Sequence, residues 1–136
     1  MPNQKNRIVI DTNILISFFL IKKSSRFDTL IAQAEVLLLY NQELIDEFIT
    51  VTKRSKFERY FDEKDIESLL LMIKNRALFI DVTSQVTICR DPKDNFLLAL
   101  AKDGKATHLI TGDKDLLALK KYGKTIILTL AEYIAE

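Results

Sequence analysis

The residues best suited to chemistry in this chain are carboxylates. Asp11 follows "RIVI", Glu43, Asp46 and Glu47 follow "EVLLLY", Asp91 and Asp94 lie in "RDPKDN", and Asp113 and Asp115 lie in "TGDKD". Several carboxylates within a few ångströms repel one another, so at least one takes up a proton unless a cation is present. With oxygen donors alone, the favoured cation is Mg²⁺ or Mn²⁺ rather than zinc. Residues for rival chemistries are scarce. The single histidine, His108, lies inside "THLIT" and reads as a strand residue with a satisfied hydrogen bond. The single cysteine, Cys89, cannot form an internal disulfide and reads as a small buried hydrophobe. No nucleophile elbow or phosphate-binding glycine loop is present. A carboxylate-only site suits metal-assisted phosphoryl chemistry, in which a water is activated and the leaving oxygen of a phosphodiester is stabilised by metal charge.

Each acid also has a structural explanation. Aspartate is favoured at helix N-caps, and acids in a first turn suit the helix dipole. That account satisfies Asp91, Asp115 and Glu43, and Asp113 can serve as an N-cap as well. Asp94, three residues after Asp91, shares the same face of a first turn, and two acids there exceed what capping requires. Glu47 lies six residues past Asn41, too deep to cap, and directly before Phe48. It sits either at the edge of the apolar stripe or turned into a cleft.

The elements that must position these acids alternate. "RIVI" (7–10) is short, continuous and β-branched, as a buried strand is. The pattern continues with helices over 13–23 and 24–34, a strand "EVLLLY" (35–40), and a helix over 41–54 capped by Asn41. A helix over 62–77 has acids at its start and bases at its end, matching the macrodipole. Next come a strand "LFIDV" (78–82) and a helix over 91–104 with Pro92 at its first position and Gly104 at its end. "THLIT" (107–111), a helix over 113–123, "TIILT" (125–129) and a closing helix complete the chain. Strands separated by helices predict an α/β fold: a three-layer α/β/α sandwich around a central parallel sheet of four to five strands. In such a sheet the C-terminal ends of the strands share one edge, and ligands bind there. The separated acids would then meet.

The 136 residues fit one domain over 1–136, large enough for a core without disulfides. Three Gly and two Pro leave little room for linkers. Twenty basic residues against nineteen acidic ones, a net charge of +1, carry no overall argument for a nucleic-acid partner. Local charge does more. Lys53, Arg54, Lys56 and Arg59 surround Phe57 in "KRSKFER", where they could follow a phosphate backbone while the ring stacks on a base, or form a solvated helix end. Lys102, Lys105 and Lys114 could line the same edge as the acids. The apolar run "ILISFFLI" is far short of the roughly 20 residues a membrane helix needs, and the polar N-terminus is not expected to act as a signal peptide. A cytoplasmic protein is expected.

"VIDTNILIS", "NQELIDEF", "RDPKDNFLLALA" and "HLITGDKDLL", in that order, closely resemble the PIN-domain family. The nearest branch is the group described as toxin components of prokaryotic toxin–antitoxin systems. The resemblance runs from about residue 7 to 134. It implies cleavage of RNA, expected to be single-stranded, with Mg²⁺ or Mn²⁺, a cognate antitoxin protein as partner, and a homodimer. It places the family's four acids on Asp11, Glu47, Asp94 and Asp113. Asn13 matches the polar residue that helps hold the first acid, and Thr111 the hydroxyl before the fourth. Asp91 and Asp115 fit supporting roles, and Glu43 competes with Glu47. The family often has Ser where Asn41 stands. Two rivals remain open: a PIN fold that grips RNA or a protein without cutting, and a phosphatase using Asp11 as nucleophile. Asn13 stands where the phosphatase pattern wants a second aspartate.

Overall fold

Continuous apolar strands build the centre of the sheet. The computed structural model describes residues 6–20, 36–54 and 63–135. Strand β1 (Asn6–Ile10) has Ile8, Val9 and Ile10 wholly buried, as a strand covered on both faces requires. It pairs in parallel with β2 (Val36–Tyr40) on one side and with β4 (His108–Ile110) on the other. β2 pairs with β3 (Ala77–Phe79), and β4 with β6 (Thr125–Leu128), both in parallel. The order is β3-β2-β1-β4-β6-β5, where β5 (Lys121–Tyr122) runs antiparallel at the edge.

Helices join the strands and cover them, giving the expected α/β sandwich. α1 (Thr12–Leu20) packs on α2 (Gln42–Thr52). The Asn41 side chain caps α2 by accepting the Leu44 N–H at 3.0 Å, and Leu44, Ile45, Phe48 and Val51 form its buried stripe. α3 (Glu63–Arg76) leads into β3. α4 (Asn95–Asp103) packs on β1, β2 and β4 with Leu97, Leu98 and Leu100 fully buried. α5 (Lys114–Leu117) and α6 (Leu130–Ala135) are short. No helix among the described residues is long and apolar enough to cross a membrane.

Three local readings change. The sheet gains a sixth strand, because the helix expected over 113–123 stops at Leu117. Lys120 adopts a left-handed φ of 61° and Gly123 one of 59°, and the chain reverses through a two-residue loop, Gly123–Lys124, between β5 and β6. The helix expected over 91–104 opens with a 3-10 turn, Pro92–Asp94, before α4 begins. The strand expected over 78–82 ends at Phe79, with one further ladder bond from Ile80 N–H to the Tyr40 carbonyl at 2.8 Å. The helix expected over 24–34 lies outside the described residues.

Candidate functional site

Asp11 ends β1 and begins α1. Its N–H donates to the Ile110 carbonyl at 3.0 Å, and its own carbonyl accepts from Ile14 and Leu15 at 3.0 Å each. The side chain is buried. Thr111 Oγ1 donates to Asp11 Oδ2 at 2.7 Å, and the Asn13 backbone N–H to Oδ1 at 3.3 Å. Asn13 thus supports Asp11 through its main chain. Burial pushes the Asp11 carboxyl above the ordinary range, the Thr111 and Asn13 hydrogen bonds pull it back, and the Asp113 charge adds to the rise. Thr111 is fully buried and also accepts the Asp113 N–H at 3.0 Å. One hydroxyl therefore links the first acid to the backbone of the fourth.

Capping explains part of the acid edge. Asp91 caps the 3-10 turn by accepting the Lys93 N–H at 3.1 Å. Asp113 caps α5, accepting from Asp115 N–H at 2.7 Å and Leu116 N–H at 3.2 Å. Asp94 occupies the start of α4, yet its side chain makes no capping hydrogen bond. Its Oδ2 is buried with no hydrogen-bond partner, the only such side-chain atom among the described residues. Oxygens of Asp91, Asp94 and Asp115 all lie within 4.8 Å of one another. The Asp94 carboxyl is pushed up to about 7 by burial first, then by the charges of Asp113 and Asp11, a shared hydrogen bond with Asp113, and Asp91. Crowding of like charges in this way is relieved by a proton or a cation.

Neighbours brace this cluster. Arg90 Nη2 lies 3.0 Å from Asp115 Oδ1, and Asn95 Oδ1 accepts the Cys89 N–H at 2.9 Å, fixing the chain just before the acids. Cys89 is buried; burial first, and then the charges of Asp94, Asp113 and Asp115, raise its thiol. Neither Arg90 nor Asn95 stands out in the sequence, because each acts through a contact that only the folded loop creates.

The glutamates separate. Glu47 Oε2 accepts a 2.7 Å hydrogen bond from Thr12 Oγ1, and Thr12 is the buried residue immediately after Asp11. Glu43 is exposed in the first turn of α2 and lines a different feature, a groove of 740 Å³ shared with Asp46, Asp81, Phe79 and Phe96. Thr12 is absent from the sequence-based candidates; its place in "DTN" beside Asp11 was the available signal.

The cations divide in the same way. Lys53 and Arg54 are exposed at the end of α2, while Lys56, Phe57 and Arg59 lie outside the described residues. Lys114 follows Asp113 at the acid edge. Lys102 and Lys105, which the sequence allowed at that edge, lie elsewhere. α4 starts at the acids and carries the chain back across the sheet, so the turn after it meets the other end of β1: Arg7 Nε donates to the Gly104 carbonyl at 2.8 Å, and Thr107 N–H to the Arg7 carbonyl at 2.7 Å.

The donor set of Asp91, Asp94 and Asp115 fits a hard divalent cation; Asp11, Glu47 and Asp113, expected as ligands with Asp94, lie outside that 4.8 Å group. All the groups are carboxylate oxygens, like charges are crowded, and one buried oxygen lacks a partner. The chain is 28% identical over 127 residues to the uncharacterized protein MJ1680 of Methanocaldococcus jannaschii, an alignment covering 91% of this chain and 81% of that protein. The PIN-domain profile matches residues 7–115, a span that includes Asp11, Glu47, Asp94 and Asp113. With a mostly parallel sheet and acids gathered where its strands end, this match leads to one conclusion: the chain belongs to the PIN-domain family.

Proposed function

We propose that this protein is a Mg²⁺- or Mn²⁺-dependent endoribonuclease, the toxin half of a toxin–antitoxin pair. It acts in the cytoplasm as a homodimer and is held in check by a cognate antitoxin protein. The observation that carries the nuclease reading is Asp94, whose buried Oδ2 has no donor and whose carboxyl faces Asp91, Asp113 and Asp115. Such a group is favourable only when a cation or a proton joins it.

Asp11, Glu47, Asp94 and Asp113 are the ligands in this reading. A bound divalent ion supplies Lewis acidity and positive charge at an RNA phosphodiester. Thr111 orients Asp11, and Thr12 orients Glu47. With its carboxyl raised to about 7, Asp94 keeps a proton below neutral pH in the absence of metal and would surrender it on loading. Asp91 stabilises the turn that presents Asp94, and Asp115, paired with Arg90, flanks it. Hydrolysis adds water to phosphorus and breaks the bond to the 3′ oxygen, leaving a 5′-phosphate and a 3′-hydroxyl.

Mn²⁺-dependent cleavage of single-stranded RNA by wild type, lost in Asp94→Asn, is the expected result. Unchanged cleavage by the variant sinks the assignment. Calorimetry separates catalysis from mere binding: a PIN fold that grips RNA or protein without a metal site gives no Mn²⁺ heat that Asp11→Asn removes.

A further inference from the structure

A second groove, of 700 Å³, opens where α4 ends and the β5–β6 hairpin turns. Lys102, Lys105 and Lys124 line it together with Tyr122, Thr107 and Thr125, and its lining includes no carboxylate. All three lysines are exposed. The one ion pair among the described residues is Arg90–Asp115, so none of these lysines has a described carboxylate within 4.0 Å. Asp103, adjacent to Lys102 in sequence, is committed to the Thr83 and Ser84 amides and the Ser84 hydroxyl. Lys105 holds a φ of 53°, so a cationic side chain occupies a turn position where glycine or asparagine is easier.

The other large groove has the opposite character. It reaches Asn95, beside Asp94, but Glu43, Asp46 and Asp81 line it and no lysine or arginine does. A polyanion passing the acid edge meets carboxylates and no described cation in that groove. The lysine groove offers it three exposed cations with no ion pair to a described carboxylate, at the far end of a helix whose nine residues span roughly 13 Å.

We propose that the lysine groove binds the phosphate backbone of single-stranded RNA, as an anchoring site separate from the acid edge. This rests on the ribonuclease reading and deepens it. Lys102, Lys105 and Lys124 neutralise successive phosphates. Because both contacts act on one strand, engagement at the groove raises the effective concentration of the scissile segment at the acids. Oligonucleotides too short to span α4 gain nothing from it.

The test is fluorescence anisotropy of a 5′-labelled 20-nucleotide oligouridine in EDTA, comparing wild type with Lys102→Gln/Lys105→Asn/Lys124→Gln. Asparagine keeps the left-handed turn at 105 accessible, and a thermal melt verifies folding. The variant is expected to bind about tenfold more weakly at low salt, with the log–log salt slope reduced by about 2, since each single-strand phosphate contact contributes about 0.7. An unchanged Kd and slope, or no wild-type binding, overturns the proposal. So does full displacement of the RNA by millimolar inorganic phosphate at constant ionic strength, which marks a free-phosphate site. Because binding is read without metal, the two readings fail separately. Wild type that binds through the lysines yet never cleaves with Mn²⁺ refutes only the nuclease. A cleaving wild type whose triple variant binds equally well refutes only the anchor.

Discussion

The Thr111 hydroxyl donates to Asp11 Oδ2 at 2.7 Å across 100 positions of sequence, joining the ends of the adjacent strands β1 and β4. The same oxygen receives the Asp113 N–H. Thr111→Val keeps the shape and removes both roles, leaving a buried acceptor and a main-chain donor unsatisfied. The variant is expected to lose about 1–3 kcal/mol of stability in urea unfolding. Its Mn²⁺ affinity, read by calorimetry, falls about 10- to 100-fold because Asp11 loses its orientation.

Asp94 makes the metal-free protein pH-sensitive. Its carboxyl is raised from 3.8 to about 7 in the native state, so between these values the unfolded chain binds fewer protons than the folded one. Stability therefore falls as pH rises through that window and is level above it. Asp94→Asn removes the penalty. With solvent screening taken into account, the variant is expected to exceed wild type by on the order of 1–2 kcal/mol at pH 8, with no gain at pH 3, in metal-free chemical denaturation.

Metal loading follows the same proton. With Asp94 as a ligand, as proposed, an ion would have to displace that proton below about 7, so Mn²⁺ affinity is expected to climb with pH by up to about tenfold per unit and to flatten above neutrality. Calorimetry in buffers of different ionisation enthalpy measures the released proton. A pH-independent affinity with no proton release from pH 5.5 to 8 overturns the role of Asp94.

Glu47 and Glu43 are separable by experiment. Glu47 is tied to Thr12, the neighbour of Asp11, whereas Glu43 lines the groove beside β3. Glu47→Gln is expected to lower Mn²⁺-dependent cleavage on the order of 100-fold, and Thr12→Val about tenfold through loss of orientation. Glu43→Gln stays near wild type. The reverse ranking in a cleavage time course moves the ligand to Glu43.

Gly104 tests packing rather than turn chemistry. Its φ is −83°, which any residue adopts. An added Cβ would lie 2.8 Å from Leu39 Cδ1 and 3.0 Å from the Leu100 carbonyl. Gly104→Ala is expected to destabilise by about 1–3 kcal/mol through overpacking, read as a lower melting temperature. An unchanged melt means that the end of α4 can move away from the sheet.

Much of this organisation is local, and local features are legible in a sequence. "RIVI" and "VLLLY" read as strands because each is short, continuous and apolar and ends directly at Asp11 or Asn41, where a helix begins. Asn41, Asp91 and Asp113 cap because their oxygens reach amides two or three residues ahead. The β5 strand escaped because its two residues, Lys121 and Tyr122, are too few to set a period against the helical pattern that precedes them. The left-handed turn at Lys120 carries no glycine to announce it.

By itself the sequence determined which acids are available and that Asp11 and Asp113 stand where strands give way to helices, with one histidine and one cysteine in the chain. Only the tertiary structure decided how they interact. Asp94 differs from Asp91 and Asp113 not in type or spacing but in its surroundings, which half-bury it beside other acids and leave its Oδ2 buried with no donor. Glu47 is distinguished from Glu43 by a hydroxyl 35 residues away. Lys102 and Lys105 were moved from the acid edge to the opposite one by the course of α4. Charge, desolvation and hydrogen bonding depend on distances through space, and those distances exist only once the strands have paired.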